Sequence, residues 1–380
     1  MGEIVAGSYL PTERELQAGF GASRATVRKA LAALIEAGWA FNVPNKGVVA
    51  TRGLKPGQNA NVAFIHSGTY VLQLLSARIA ELLEPSGLNL VHMGGRVDYP
   101  MEYALQRALD NNFRGALVWS YRGFPDAEQI GQAMRRLPIV ALDHRIGGPE
   151  TDLVTFDHEQ AAYDATEHLA RLGCTRIGVT GMLDMLEMTH QRFRGYMRAM
   201  FANGLQPQAR DFAFTFTSGL DEHDTHLLEY RLRAEDRPDG FLVLQDISVP
   251  AVVETASRVG LKLPDDLKLA TIGDDLDLTV GNVGMTAVAL DWEALAQQSV
   301  ALLLERLDNL HRPPQVRYAP HHLMVRGLCG ARREDWTAEV DKSRSARGEV
   351  PLARSQYVYS TSSWTPGLGV QPSRSGEIQS

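Results

Sequence analysis

From Val62 to Ile272 the chain alternates between short apolar runs and longer amphipathic stretches, and that alternation limits the fold more than any other feature. The runs Val62–His66, Leu88–Met93, Ala116–Trp119, Ile139–Leu142, Ile177–Thr180, Gly240–Leu244 and Leu269–Ile272 are mostly apolar, as strands buried on both faces are. Between them, Leu72–Leu83, Met101–Asn111, His158–Leu172, Arg192–Ala202, Val249–Val259 and Trp292–Leu307 read as helices. Buried strands alternating with helices predict an α/β fold of doubly wound parallel sheets. A stretch of this length predicts two such sheets rather than one. Ligands of such sheets bind beyond the carboxyl ends of the strands, so the residues just after each strand become the candidates.

Several function classes are excluded by what the chain lacks. No apolar run approaches the roughly 20 residues that span a bilayer, and MGEIVAGSYLPTERE has no secretory pattern, so the expectation is a cytoplasmic protein without a membrane partner. The two cysteines, Cys174 and Cys329, cannot make a disulfide framework and read as reduced thiols in a core. His144, His158, His190, His223, His226, His321 and His322 have neither cysteine partners nor an HExxH helix, so no metal is expected. There is no GxxxxGK[ST] phosphate loop and no GxSxG elbow, so neither a cofactor nor a catalytic residue is assigned. Charge is unevenly placed. The net charge is −7, yet residues 1–55 carry +3 and residues 331–380 carry +1, which leaves −11 on the middle. A basic head on an acidic body suits a protein that touches phosphate through one module.

That head is residues 1–52, and Leu10–Thr51 carries its motifs. Thr12-Glu13-Arg14-Glu15 has the form of a capping box, and the helix it opens should stop near Gly19–Gly21. Ser23 is a second candidate N-cap. Behind it Val27, Ala30, Leu31, Leu34 and Ile35 fall on one helical stripe, expected to be buried. Arg24 and Arg28, four apart, project together near the N-terminus of that helix, the end that enters a major groove first. Trp39–Asn42 and Gly47–Thr51 then read as a hairpin with a basic tip. A capping box or an arginine-bearing helix is common alone; the ordered series is specific. LPTERELQAGFGASRATVRKAL resembles the GntR-type winged helix-turn-helix signature. The resemblance implies DNA contacts from Arg14, Ser23, Arg24, Thr26 and Arg28, with a wing that brings Lys46 and Gly47 near the minor groove. The family has a further helix ahead of this segment where only MGEIVAGSY stands. Either the head is truncated as written or its start is placed too late. The wing also reads NKGVV where the family has Arg-Gly-Thr.

Residues 53–60 are turn-rich and read as a linker. The body that follows, residues 61–330, resembles the LacI/GalR-type effector domain, a relative of periplasmic sugar-binding proteins. PIVALDHRIGG, VTFDHEQAAYDATEHLARLGCTRIGVTG, QRFRGYMRAMFANGL, PDGFLVLQD and GLKLPDDLKLATIGDD carry the likeness, all in family order. It implies two α/β lobes joined by three crossovers, with residues 61–157 and 286–315 in lobe 1 and residues 158–285 and 316–330 in lobe 2. Carried over residue by residue, the family's effector site falls on Ser67, Ser120, Asp143, Arg192, Gln245, Asp246 and Asp275. Tyr70, Tyr121 or Phe214 are candidates for the apolar wall that a pocket needs. Carboxylates, amides and a guanidinium suit vicinal hydroxyls. Two departures stand out: Gln245 replaces the family's Asn, and Asp274 its aromatic. An Asp at a strand end also serves as a helix cap, and Arg192 could pair with a surface acid. Residues 331–380, rich in Ser, Arg, Gly and Pro, read as a disordered tail.

The combined expectation is an effector-responsive transcriptional regulator, read as a repressor. Its partners are double-stranded operator DNA, a sugar or similar solute, and a second copy of itself. The alternatives are a solute-binding protein, a cytosolic α/β enzyme, or a regulator with a non-sugar effector such as a purine.

Overall fold

The computed structural model describes residues 9–36, 39–43, 47–50, 59–66, 70–94, 101–119, 127–147, 150–182, 187–215, 222–273, 278–280 and 282–335. The tail beyond residue 335 and most of the linker lie outside them.

The head opens with α1 (Glu13–Phe20). The Thr12 amide donates to the Glu15 carboxylate at 2.7 Å while the Thr12 hydroxyl accepts from the Glu15 amide at 3.4 Å, which completes the capping box. Gly21 ends the helix in the left-handed region at φ +60°. The hydroxyl of Ser23 accepts from the Thr26 amide at 3.2 Å and starts α2 (Arg24–Glu36). Strands β1 (Ala40–Val43) and β2 (Gly47–Ala50) pair antiparallel to form the wing. Tyr9 and Leu10 add a short third edge: Leu10 donates to the Val48 carbonyl at 2.8 Å. The small core consists of Val27, Leu31, Ala40, Val49 and Ala50. The expected stripe is thus only partly buried. Ala30, Leu34 and Ile35 are exposed, on a helix that packs chiefly against α1 and the wing.

Lobe 1 runs β3 (Asn61–His66), α3 (Tyr70–Leu83), β4 (Asn89–Gly94), α4 (Met101–Asp110), β5 (Gly115–Trp119), α5 (Ala127–Met134), β6 (Ile139–Leu142) and β7 (Asp152–Phe156). The chain then enters lobe 2: α6 (His158–Arg171), β8 (Ile177–Met182), α7 (Glu187–Ala202), β9 (Phe212–Thr215), α8 (Glu222–Arg233), β10 (Gly240–Val243), α9 (Val249–Arg258) and β11 (Lys268–Ile272). A hairpin of β12 (Thr279–Val280) and β13 (Val283–Gly284) leads to β14 (Thr286–Leu290). Next come α10 (Trp292–Asp308), β15 (Val316–Ala319) and β16 (His321–Met324). One six-stranded sheet has the order β15-β7-β6-β5-β3-β4 and the other β16-β14-β11-β10-β8-β9. Every pairing in them is parallel except β14 with β16.

Strand pairing moves two of the expected lobe boundaries. β14 joins β11, so residues 286–290 belong to lobe 2, and β15 joins β7, so residues 316–319 belong to lobe 1. α10 packs on α3, β5, β6, β7 and β15, all of lobe 1. The chain therefore crosses between lobes at Asp157, at Asp291 and at Pro320, a single residue each time. One apolar cluster is continuous across both lobes, from Val62, Phe64 and Leu117 to Val179, Leu242 and Ala270. The opposite face of each sheet has its own cluster.

The last crossings are held by a buried charge in lobe 1. Asp152 starts β7 with its carboxylate fully buried. It accepts from Arg306 on α10 at 2.8 and 2.9 Å, from Arg312 at 2.9 and 3.1 Å, and from the Gln315 amide at 2.9 Å. Those bonds fix where α10 ends and where β15 begins. Removing one partner of such a network strands the others without a counter-charge. Asp152→Ala should cost about 3–5 kcal/mol in urea unfolding; a change below ~1 kcal/mol would remove this network from the forces that hold the lobe.

Candidate functional site

The carboxyl ends of β6 and β10 and the N-terminal ends of α6 and α7 bring together a buried polar group spanning both lobes. Asp143 follows β6 with φ +61°, a left-handed conformation that a non-glycine residue keeps only when its surroundings hold it. Its amide donates to the Val154 carbonyl at 2.7 Å, and Thr155 Oγ1 donates to the Asp143 carbonyl at 2.9 Å. Asp143 Oδ1 lies 2.8 Å from His158 Nε2, and Oδ2 lies 3.6 Å from His144 Nε2. On the other side of His158, Arg192 Nε donates to Nδ1 at 3.3 Å, and Arg192 Nη1 donates to the Leu244 carbonyl at 2.5 Å. Asp143, His158 and Arg192 are all buried.

Chemistry fixes the proton on this imidazole. A guanidinium only donates, so Nδ1 of His158 accepts and the ring proton sits on Nε2, facing Asp143. Burial is the largest influence on His158 and pushes its pKa down; Asp143 opposes that and Arg192 adds to it, so the ring is neutral near pH 7. Burial alone would raise the Asp143 carboxyl. His158, His144, the hydrogen bond from His158 and the Arg192 guanidinium outweigh it and hold Asp143 well below the ordinary carboxylate range.

Arg192 reaches this position because of the glycine one turn later. Gly195 sits where α7 meets α6, and a Cβ there would lie 2.0 Å from the Glu159 carbonyl oxygen. The helices touch backbone to backbone, which sets Arg192 onto His158. Gly195→Ala should separate α6 from α7 and cost at least about 1–3 kcal/mol, the range for overpacked cores. Thermal unfolding of the variant measures this, and an unchanged midpoint would refute the close approach.

One turn before Arg192, Thr189 accepts from Gln245 Nε2 at 3.1 Å, and both are buried. Gln245 and Asp246 follow β10 as expected. A Cβ on Gly181 would come within 2.6 Å of Gln245 Oε1, and one on Gly273 (φ +102°) within 2.9 Å of the Asp246 carboxyl carbon. The ends of β8, β10 and β11 thus converge on these two side chains. Phe156, Trp292, Trp119 and His144 form a chain of ring contacts beside the first two crossings, with centroids 4.9, 5.5 and 5.6 Å apart. Of the expected effector residues, Asp143 and Arg192 meet through His158, while Gln245 and Asp246 stand on the neighbouring strand end. Ser67, Ser120, Tyr121 and Asp275 lie outside the described residues, as do the side chains of Tyr70 and Phe214.

In the head, Arg24 and Arg28 extend from α2 with exposed side chains, both directed at Glu13 of α1: Arg24 Nε at 3.0 Å and Arg28 Nε at 3.5 Å. Ser23 and Thr26 share a hydroxyl contact of 2.8 Å at the start of the same helix. Arg14 is exposed. Gly47 opens β2 at φ +120°, against the ring of Tyr9. Lys46 lies outside the described residues. Exposed ion pairs contribute little stability, so Glu13 acts on the arginines' direction rather than on the fold. Nothing local in the sequence signals the Glu13 contacts, which join residues on two helices. His158 was legible only as one histidine among several.

Among the described residues no group of three His, Cys, Asp or Glu side chains is placed to hold a metal ion, and no helix is long and apolar enough to cross a membrane. Both cysteines are buried thiols, and burial pushes Cys174 up to about 12. A groove of about 600 Å³ lies elsewhere, between α9 and the β12–β13 hairpin, lined by Val249, Val253, Leu278, Val280 and Leu328 among others.

Comparison with known proteins agrees with this architecture. Residues 1–49 match the family of bacterial regulatory proteins, gntR family, and residues 166–329 match the periplasmic binding protein-like domain. The chain is 24% identical over 323 residues to the arabinose metabolism transcriptional repressor of Geobacillus stearothermophilus, a match covering 81% of this chain and 87% of that protein. It is 28% identical over 183 residues to the HTH-type transcriptional repressor PurR of Aliivibrio salmonicida, 47% of this chain and 54% of that one. In fold it is similar to a periplasmic binding protein/LacI transcriptional regulator from Alkaliphilus metalliredigens, solved with D-xylulofuranose. That match has a TM-score of 0.59 at 17% identity and covers 71% of this chain and 99% of the other.

Proposed function

We propose that this chain, in which a GntR-type winged helix-turn-helix head is fused to a LacI/GalR-type, periplasmic-binding-protein-like body, is a cytoplasmic repressor that changes its hold on operator DNA when a small solute binds between the lobes. The observation that carries this reading is the pairing of two modules. A basic helix presents Arg24 and Arg28 to solvent, and a two-lobed body gathers Asp143, Arg192, Gln245 and Asp246 at its strand ends. The first module supplies donors for phosphate and base edges. The second supplies acceptors and donors for a polyhydroxyl solute, and a sugar is the effector we assign. The arabinose repressor named above matches over 81% of this chain, which supports that assignment.

The relatives named above are transcriptional repressors, so binding rather than turnover is the activity we infer. A second copy of the chain is the natural partner, because two heads at a fixed spacing read two half-sites of a symmetric operator.

Gel-shift titration of operator fragments at stated salt tests the reading, with and without each sugar of an aldopentose and aldohexose panel. A coupling of about 1–3 kcal/mol predicts a 5–150-fold change in operator affinity with the right sugar. Equal affinity across the whole panel would sink the sugar switch.

The recognition helix has its own test. Arg24→Ala or Arg28→Ala should weaken operator binding by about 1–3 kcal/mol where the arginine reads a base. Loss confined to phosphate contact would instead lower the salt slope by about one and weaken all sequences alike. Unchanged binding in both variants would exclude α2 as the recognition helix.

A further inference from the structure

We propose that His158 is the residue that couples the two lobes: a neutral imidazole at the first crossing, hydrogen-bonded on one side to lobe 1 and on the other to lobe 2. The inference rests on the functional reading above and adds to it the residue through which the lobes sense each other.

The crossing at Asp157 is one residue long, so His158 is the first helical residue of α6 and sits within reach of both lobes. Its Nε2–H faces Asp143, which ends β6 in lobe 1, at 2.8 Å. Its Nδ1 accepts from Arg192 of α7 in lobe 2 at 3.3 Å. Arg192 in turn holds the Leu244 carbonyl at the end of β10. Asp143, His158, Arg192 and Leu244 therefore form one chain of hydrogen bonds from strand end to strand end across the hinge. Every member is buried, and each direction of donation is dictated by its neighbours.

Such a chain tolerates few geometries. If the lobes rotate, His158 keeps one partner and loses the other, leaving a buried carboxylate or guanidinium short of a hydrogen bond. The imidazole thus makes the position of Asp143 depend on that of Arg192. Both are expected effector residues, one on each lobe. The other charges facing this ring are Asp157, beside it in the chain, and the His144 imidazole on the far oxygen of Asp143. His158 touches no substrate in this scheme; it positions the groups that do.

Tautomer, not charge, is the property that matters, and an amide reproduces it. Gln offers an N–H donor and a carbonyl acceptor in place of Nε2–H and Nδ1, whereas Leu offers neither. The first measurement is the nitrogen NMR spectrum of the full chain with labelled histidine, the His158 signals being assigned by their loss in His158→Gln. The expected result is a neutral ring protonated at Nε2 from pH 6 to 8. An imidazolium, or a ring protonated at Nδ1, would overturn the proposal.

The second measurement compares His158→Gln and His158→Leu in the gel-shift titration, using the sugar that most raises the melting temperature of the wild-type chain. The ratio of operator affinities with and without that sugar should stay within about threefold of wild type in His158→Gln and collapse towards one in His158→Leu. An equal ratio in all three chains would also overturn the proposal. Should no sugar in the panel alter melting or operator binding, the effector reading fails, while the spectrum still decides the state of His158.

Discussion

Three connections of one residue each determine how this body can move. Asp157, Asp291 and Pro320 carry the chain between two mostly parallel sheets that share a continuous apolar layer. Two of the three are helix caps as well. Asp157 accepts from the Gln160 amide at 2.9 Å, and Asp291 accepts from the Ala294 amide at 2.9 Å. The Asp291 amide donates to the Pro320 carbonyl at 3.1 Å, which ties the second crossing to the third. With so little slack, the lobes cannot slide or separate without uncapping a helix. Rotation about the line of crossings is the motion left to them, and the residues flanking that line feel it first.

The buried charges are placed where this constraint makes position matter. Asp152 locks the end of α10 and the start of β15 through Arg306 and Arg312, so it defines the approach to the third crossing. Asp143, His158 and Arg192 occupy the first. In lobe 2, Asp211 takes Arg176 at 2.7 Å and Arg231 at 2.5 Å, joining the start of β8 to α8. Buried ion pairs are poor sources of net stability, because desolvation consumes most of their attraction. Apolar side chains already fill both faces of each sheet, and an apolar layer is indifferent to small shifts in register. Directed bonds to a carboxylate are not. Here we infer that the charges serve to select one arrangement of helix ends and strand ends from many of similar packing quality.

How much of this the sequence carried depends on the range of the forces involved. Strands such as Ile139–Leu142, buried on both faces, left a signal within each run and were legible to the residue. So were the Thr12–Glu15 capping box and the Ser23 cap, which are contacts three residues apart. The lobe boundaries were not. TAVAL and VRYA look alike as short strands, and only pairing with β11 or β7 says which sheet each completes. The same holds for polar partners. Asp143 could be read as a ligand or a cap from its place after β6, but its hydrogen bond to His158 spans fifteen residues and two lobes. Leu34 and Ile35 illustrate the converse: helical spacing predicts a face, and whether anything covers it is settled by other elements.

These limits bear on how a message from the cleft reaches the DNA. The head is joined by the linker to β3, a strand of lobe 1, and has no covalent connection to lobe 2 except through the hinge. A solute that touches only lobe 1 therefore gives the head no reason to move, since it interacts equally with both arrangements of the lobes and shifts no equilibrium. To act, it must bind across the cleft with different strength in the two arrangements. The hydrogen-bond chain at His158 already ties Asp143 to Arg192 in one of them. A bound solute then has to favour that arrangement or replace its bonds, and the sign of that preference decides whether the effector tightens or releases the operator.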